Sequence, residues 1–274
     1  MAEYRRILLD DTPTRVRREG DDLVTADGRR VSIAAAVHLP PTEPSKILAV
    51  HLNYRSRVEE FMTRLPPAPT YFQKPLSALN AHQGEVVRPD RCRFLNFEGE
   101  IAIVIGTRCK GISPDEAMGH VEGFTIANDF GLHDFRDTDA GSMLRVKGSD
   151  GLCPLGPGVV TGWDHRGKTI RTLVNGSLRQ QGNTSEMEWD MAYLVADLAR
   201  TITLLPGDVV TVEVEGLGSL TNTVVSGSPV RDDVGAQPSA SEEVVSTSLG
   251  GDWEHRGVRA PASPGGRPPR SERG

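Results

Sequence analysis

The alternation of hydrophobic and polar positions along the chain predicts many short strands. Residues 46–53 (KILAVHLN) have the apolar pattern of a buried strand, and residues 97–106 form the clearest strand in the sequence. Residues 1–45 alternate in short pieces around the turn-forming pair Asp27-Gly28. This pattern predicts a small β-rich N-terminal segment ahead of the first long strand.

Two later segments read as hairpins. Residues 168–182 (KTIRTLVNGSLRQQG) carry Asn175-Gly176, a dipeptide that favours a tight turn between antiparallel strands. Residues 209–225 (VVTVEVEGLGSLTNTVV) predict a second hairpin, with its turn at residues 216–218. Together with the earlier strands, they predict a largely β fold.

Helices are fewer. Residues 184–205 predict the longest one, because apolar side chains recur there at helical spacing. These apolar positions are Met187, Met191, Leu194, Val195, Leu198 and Ile202. A second helix is predicted over 54–65, and a short one opens at Ser113, which has an N-cap side chain followed by Pro114. The helices do not alternate regularly with strands, so we predict a strand-rich α+β fold with a mixed sheet.

The periodicity also sets the predicted domain limits. After about Gly227 the apolar repeat stops and Pro, Gly, Ser, Glu and Arg dominate. We therefore expect a main domain over 46–227, preceded by the β-rich segment 1–45 and followed by a disordered tail over 228–274.

Charge and composition narrow the functional classes. The 274 residues carry a net charge of −6, and no basic stripe marks a nucleic-acid binder. Three cysteines without a CxxC spacing predict neither a disulfide framework nor a zinc site. No signal peptide or membrane-spanning stretch is evident in the sequence. We expect a soluble cytoplasmic protein that binds neither nucleic acid nor membrane.

The strand at 97–106 carries two carboxylates, Glu98 and Glu100, that alternation places on one face. Two carboxylates side by side repel each other, and a shared cation relieves that repulsion. Oxygen-only ligation suits Mg²⁺, Mn²⁺ or Ca²⁺. Asp129 is the first of four acids at the end of the next strand and is the candidate third ligand. The alternative is that both glutamates lie on a solvated strand face and that Asp129 caps a turn.

Five collinear stretches resemble the fumarylacetoacetate hydrolase superfamily: LNYRSRVEEF, PTYFQKPLSAL, NFEGEIAIVIG, GFTIANDF and RVKGSDGLCPLGP. The resemblance covers about residues 46–225 and implies a mixed β-sheet roll and a homodimer. It also implies that Glu98, Glu100 and Asp129 bind a divalent metal, Mg²⁺ first, with Mn²⁺ or Ca²⁺ as alternatives. Lys147 matches the family's active-site lysine, and Lys74 matches a position that lines the cleft; the alternative for Lys147 is a surface lysine after a turn.

Other positions depart from the hydrolases of that family. Arg57 stands where they carry a water-activating histidine, whereas Glu60 matches the partner acid. Arginine cannot act as a general base but can hold a substrate carboxylate at two points; the alternative is a solvated helix residue. His133 is a candidate proton donor or simply a loop residue. Arg55 and Arg136 are candidate contacts for substrate carboxylates.

These departures resemble the branch that contains the homoprotocatechuate-pathway decarboxylase/isomerase. It implies a metal-dependent decarboxylase or isomerase of 2-oxo or 2-hydroxy dienoic di- and tricarboxylates, acting through a metal-stabilised dienolate. The first alternative is hydrolysis of a carbon–carbon bond in an acylpyruvate. The second is a weakly active or non-catalytic protein that binds a dicarboxylate; a purely structural β protein ranks last.

One family segment has no counterpart here. Members of this type carry two Pro-Gly-Asp motifs separated by a strand and a Gly-Thr-Pro loop that reaches the substrate. This chain has a single motif, residues 206–208, which runs directly into residues 209–218. We therefore expect that the Gly-Thr-Pro segment is missing after Asp208 and that its loss exposes a sheet edge and opens the cleft.

Overall fold

The computed structural model describes residues 1–55, 58, 64–136, 138–139, 141–212 and 218–228. The tail predicted over 228–274 therefore lies almost wholly outside the described residues, as does more than half of the helix predicted over 54–65. The strands of the described residues are β1 (Ala2–Leu9), β2 (Thr12–Glu19), β3 (Asp22–Val24), β4 (Arg30–Ser32), β5 (Val37–Leu39), β6 (Ile47–His51), β7 (Thr70–Lys74), β8 (Leu79–Ala81), β9 (Glu85–Arg88), β10 (Leu95–Asn96), β11 (Gly99–Ile105), β12 (Val121–Asn128), β13 (Gly131–Leu132), β14 (Cys153–Thr161), β15 (Thr169–Val174), β16 (Ser177–Asn183), β17 (Val209–Val212) and β18 (Thr223–Ser226).

The helices in the same part of the chain are short. The α-helices described from end to end are α1 (Pro114–Ala117), α2 (Leu144–Lys147) and α3 (Met191–Thr201). Single 3₁₀ turns cover Ile33–Ala35, Leu76–Ala78, Met118–His120, His133–Phe135 and Thr184–Glu186. None of the described helices is long and apolar enough to cross a membrane.

Most strands join one twelve-stranded sheet. Its order is β4-β3-β2-β1-β14-β12-β11-β17-β6-β7, with β5 paired to β1 and β8 paired to β14. The β17–β6 and β14–β8 pairs are parallel, whereas the other pairs are antiparallel. The prediction of a strand-rich α+β fold with a mixed sheet is confirmed. The N-terminal strands extend this same sheet, because β1 pairs with β14.

The two faces of β11 face different surroundings. Ile101, Ile103 and Ile105 are fully buried against α3, which contributes Leu194 and Val195 to the same core. The opposite face of β11 carries Glu100 and Ala102. The carboxylates of the candidate site lie on this face. This alternation is what the sequence predicted for the strand at 97–106.

The longest helix begins later than its apolar spacing predicted. The side chain of Asp190 accepts a hydrogen bond from the Tyr193 N–H, so it caps α3 and fixes the first residue as Met191. Met187 precedes the helix and packs at the edge of the core. The spacing from Met191 to Leu198 was correct, but the cap decides where the helix starts.

The hairpin predicted over 209–225 is wrong. β17 lies in the middle of the large sheet between β11 and β6, and β18 pairs in parallel with β9 in a separate two-stranded sheet. Val209 and Val210 are both fully buried, which is typical of a central strand with neighbours on both sides. By contrast, the β15–β16 hairpin is confirmed, with Asn175 and Gly176 at positive φ in its turn.

Candidate metal centre

Three carboxylates converge where β11 begins and β12 ends. Gly99 pairs with Asn128, so Glu98 and Asp129 are the neighbouring residues at this edge of the pairing. The Asp129 N–H donates to the Glu98 carbonyl at 2.8 Å, which fixes the two backbones. Carboxylate oxygens of Glu98, Glu100 and Asp129 all lie within 4.8 Å of one another. The predicted ligands are thus brought together.

These acids are withdrawn from water. Asp129 is 1% exposed and Glu100 is 8% exposed. Among the described residues, Glu100 Oε2 is a buried oxygen without a hydrogen-bond partner. Burial, followed by the charges of Asp129 and Glu98, raises the pKa of Glu100 well above its usual range. The donor set is oxygen-only and over-supplied with negative charge, so it fits a hard divalent cation.

Lys147, the last residue of α2, reaches the same point. Its ammonium donates to Glu98 Oε2 at 2.6 Å, lies 2.8 Å from Asp129 Oδ2 and donates to the Asp129 carbonyl at 3.0 Å. Burial would lower its pKa, but Asp129 and Glu98 outweigh that effect and raise it above the ordinary lysine value. Lys147 is therefore held as a cation beside the three acids.

A second lysine, which is buried, also contacts Asp129. Lys74, on β7, is fully buried and donates to Asp129 Oδ1. It also donates to the Phe130 carbonyl at 3.2 Å and to the Leu152 carbonyl at 3.1 Å. With three protein acceptors, its ammonium orients Asp129; the direct substrate contact expected of Lys74 stays a prediction.

Sequence reasoning missed Gln180, on the β15–β16 hairpin. Its Oε1 accepts from the Gly99 N–H at 3.2 Å and from Thr172 Oγ1 at 2.9 Å. The packing is close enough that a Cβ at position 99 would clash with Thr172 Oγ1. The hairpin therefore buttresses the single residue between the two glutamates. The sequence predicts this hairpin, but it gives no signal that the hairpin docks on β11.

The remaining predicted residues are more dispersed. His133 is buried in the turn after β13, with its ring 5.4 Å from the ring of Phe94, and Arg136 is exposed. Arg55 is exposed and makes a two-point pair with Glu188, with bonds of 2.9 and 3.1 Å. Arg57 and Glu60 lie outside the described residues. Their roles stay predictions.

Comparison with known proteins decides the family. The family model described as fumarylacetoacetate (FAA) hydrolase, C-terminal, matches residues 46–212, more than half of the chain. The chain belongs to the fumarylacetoacetate hydrolase family. The matched range contains all three carboxylates, both lysines and Gln180.

Two relatives and one solved structure of this family carry names that describe a reaction. The homoprotocatechuate catabolism bifunctional isomerase/decarboxylase of Escherichia coli is 33% identical over 218 residues, which are 73% of this chain and 51% of that protein. The mitochondrial oxaloacetate tautomerase FAHD2A of Homo sapiens is 36% identical over 175 residues, 62% of this chain and 56% of that one. This chain thus spans about half the length of each of these enzymes.

The solved structure is that of 5-carboxymethyl-2-hydroxymuconate delta-isomerase from Mycobacterium smegmatis. It superposes with a TM-score of 0.76 at 34% identity, over 82% of this chain and 99% of that one. The named relatives of this fumarylacetoacetate hydrolase family protein thus include an isomerase/decarboxylase, a tautomerase and an isomerase.

Proposed function

We propose that this fumarylacetoacetate hydrolase family protein is a divalent-metal-dependent decarboxylase or isomerase of 2-oxo or 2-hydroxy dienoic di- and tricarboxylates in aromatic catabolism. The observation that carries the proposal is the convergence of Glu98, Glu100 and Asp129 around the buried oxygen of Glu100. The isomerase and decarboxylase names of its relatives support the reaction class.

Each residue at the centre has a definite task in this proposal. Glu98, Glu100 and Asp129 would hold the cation, which when bound supplies Lewis-acid stabilisation of negative charge on substrate oxygens. Lys147 presents a fixed positive charge at the same point, where it can stabilise a developing enolate oxygen. Lys74 keeps Asp129 in place from the buried side.

The reaction class also follows from what the centre needs. Loss of carbon dioxide from a 2-oxo acid leaves an enolate, and tautomerisation passes through the same species. Neither requires an activated water molecule, whereas hydrolysis of a carbon–carbon bond does. Because Arg57 replaces the histidine that would activate water, hydrolysis of an acylpyruvate is the second candidate.

The first experiment uses calorimetry to measure the binding of Mg²⁺ and of Mn²⁺ to the metal-stripped protein. Glu100→Gln keeps the shape of the side chain but removes its charge, and Glu85→Gln changes an exposed glutamate on β9 as the control. We expect saturable binding that Glu100→Gln abolishes and Glu85→Gln retains. Equal heats for Glu100→Gln and the wild type would exclude this metal centre.

Product analysis then separates the candidate functions. With an oxo-dicarboxylate and Mg²⁺, release of carbon dioxide or exchange of a carbon-bound proton with D₂O supports the proposal. Cleavage of an acylpyruvate into two acids supports the hydrolase. Metal binding without any turnover supports a protein that only binds a dicarboxylate.

We also infer that the Gly-Thr-Pro segment is missing after Asp208. β17 follows this residue directly and fills the slot between β11 and β6. Asp208 itself is buried and accepts hydrogen bonds from the backbone N–H groups of Ser45 and Leu205, which anchors the start of β17. Insertion of the segment should raise turnover; unchanged turnover would identify the short form as sufficient.

The remaining parts of the proposal concern Mg²⁺ as the working ion, a homodimer as the working assembly and the cytoplasm as its location. Their support is the family resemblance and the oxygen-only donor set. Light scattering after gel filtration tests the assembly: a mass near twice 29.7 kDa is expected, and a mass of one chain would contradict it.

A further inference from the structure

One titratable side chain near the metal centre has no role in the proposed function. His51 is the last residue of β6. Its side chain is exposed, and the imidazole makes no hydrogen bond to another described residue. The bond that Thr70 makes at this position, at 3.4 Å, goes to the backbone carbonyl of His51 and not to its ring.

Sheet register places this imidazole on the same face as the metal centre. Ala102 on β11 pairs with Thr211 on β17, and Thr211 pairs with Ala49 on β6. Glu100 and His51 each lie two residues further toward the same end of the sheet. Since residues two apart on a strand share a face, both side chains project from the site face, roughly 10 Å apart at the two-strand spacing.

The electrostatic surroundings agree with this placement. Among the described residues, the charged groups that act on His51 are Glu98 and Lys147, both members of the centre. Desolvation by the surrounding protein lowers the pKa of His51 most, although the residue keeps an exposed face; Glu98 opposes that change, whereas Lys147 adds to it. The imidazole lies outside the group of three carboxylates that can hold a cation, so it remains open to substrate.

The two lysines are poorer proton carriers. Lys147 is fixed as a cation by Glu98 and Asp129, and Lys74 is enclosed by three acceptors. His133 packs against Phe94 in a buried turn. An exposed imidazole can both donate and accept a proton.

We infer that His51 is the group that exchanges a proton with the substrate carbon, an inference that rests on the proposed function. In the forward step the imidazolium N–H bond breaks and its electron pair stays on nitrogen. The carbon–carbon π pair of the enolate forms the new C–H bond, while an oxygen lone pair closes the carbonyl. Water then reprotonates the imidazole; enolisation follows the same path in reverse.

The test compares His51→Gln with His120→Gln, which changes a histidine at the far end of β12. Oxaloacetate and Mg²⁺ are the probe, with tautomerisation followed from pH 5 to 8 and Mn²⁺ binding measured by calorimetry. We expect His51→Gln to keep its Mn²⁺ affinity within about twofold while kcat falls about 100-fold. The part of the pH profile that follows an imidazole should vanish with it, and His120→Gln should behave as wild type.

Two further measurements complement the kinetics, and the first of them does not depend on turnover of the loaded enzyme. Mn²⁺ should broaden the NMR signal of the His51 ring, assigned by its loss in His51→Gln, while that of His120 stays sharp. Added imidazole should restore part of the activity of His51→Ala.

The opposite results distinguish a failure of the His51 role from a failure of the proposed function. Normal turnover and an unchanged pH profile in His51→Gln, or a His51 signal that Mn²⁺ leaves sharp, would overturn the role of His51 and leave the proposed function standing. A wild-type protein that binds Mn²⁺ but turns over neither oxaloacetate nor any other oxo-dicarboxylate would overturn both.

Discussion

Charged residues are arranged in opposite ways in two regions of the large sheet: an exposed region on strands β2–β4 at its edge and a buried region at the start of the interior strand β11. On β2–β4, Arg17 pairs with Glu19, and Arg30 pairs with Glu19 and Asp22, all on exposed surface. At the start of β11, three carboxylates meet only two ammonium groups, and four of these five side chains are buried. Exposed pairs are balanced and screened by water, so they contribute little to stability. The buried cluster has one more acid than it has ammonium groups, and burial together with Asp129 and Glu98 raises the pKa of Glu100 well above its usual range. A protein tolerates such an excess of acids where a cation or ligand completes the site.

The largest effect should come from removing a charge in the buried region at the start of β11. Lys74→Met leaves three carboxylates with only Lys147, and we expect a loss of about 3–5 kcal/mol in the free energy of unfolding. Saturating Mn²⁺ should recover part of this loss, because a cation replaces the missing charge. Urea unfolding with and without Mn²⁺ measures both effects. A loss below about 1 kcal/mol, or no recovery with Mn²⁺, would contradict the role of Lys74 as the charge partner of Asp129.

A smaller effect is expected from the hairpin that supports the centre. Gln180→Ala removes the acceptor of the Gly99 N–H and should weaken Mn²⁺ binding by about 10-fold or more, as loss of a residue that orients metal ligands typically does. Gln181→Ala changes the next side chain, which pairs with Arg171 on the exposed surface. Gln180→Glu keeps an acceptor and should bind Mn²⁺ more tightly than Gln180→Ala. Equal affinities for Gln180→Ala and Gln181→Ala would contradict the buttress.

A third prediction concerns an imidazole pair formed by β5 and the turn after β8. His38 and His82 lie with ring centroids 5.0 Å apart. Burial, followed by His38 and Arg5, lowers the pKa of His82 to about 4, and burial also lowers the pKa of His38. The unfolded chain, with a histidine pKa near 6.5, binds more protons between these values. Stability should therefore fall as pH drops from about 6.5 to 4.

Urea midpoints measured between pH 7 and pH 4 check this direction. His82→Gln should flatten the dependence, since it removes the group with the larger shift. A slope that is the same in both proteins would assign the acid sensitivity to other groups.

The smallest effect on stability is expected in the exposed region on β2–β4. Glu19→Gln breaks two pairs with Arg17 and Arg30, yet the urea midpoint should stay within experimental error at 0.15 M salt. A shift of the urea midpoint comparable to that of Lys74→Met would remove the contrast between the two regions of the sheet.

Local sequence patterns were sufficient to predict features that depend on residues close together in the chain. The strand at β11, the Asn175-Gly176 turn and the paired glutamates follow from alternation and turn chemistry. The choice of Asp129 among four neighbouring acids came from family resemblance, and the geometry agrees with it.

Sequence reasoning failed where distant strands meet. Nothing in residues 209–225 shows that β17 pairs with β11 and β6, so a hairpin was the natural but wrong reading. The same gap hid Gln180 and His51. Each becomes meaningful only when the order of strands is known, because that order decides which side chains face the carboxylates.

The position of β17 has a consequence for how the chain is made. This strand lies between partners that begin near residues 47 and 101, yet it is supplied by residues 209–212. A growing chain therefore presents β6 and β11 without their shared neighbour until residues 209–212 have been synthesised. Such long-range pairing slows folding and leaves strand edges exposed meanwhile. Chaperone contact during synthesis should thus be longest before residue 212 emerges from the ribosome.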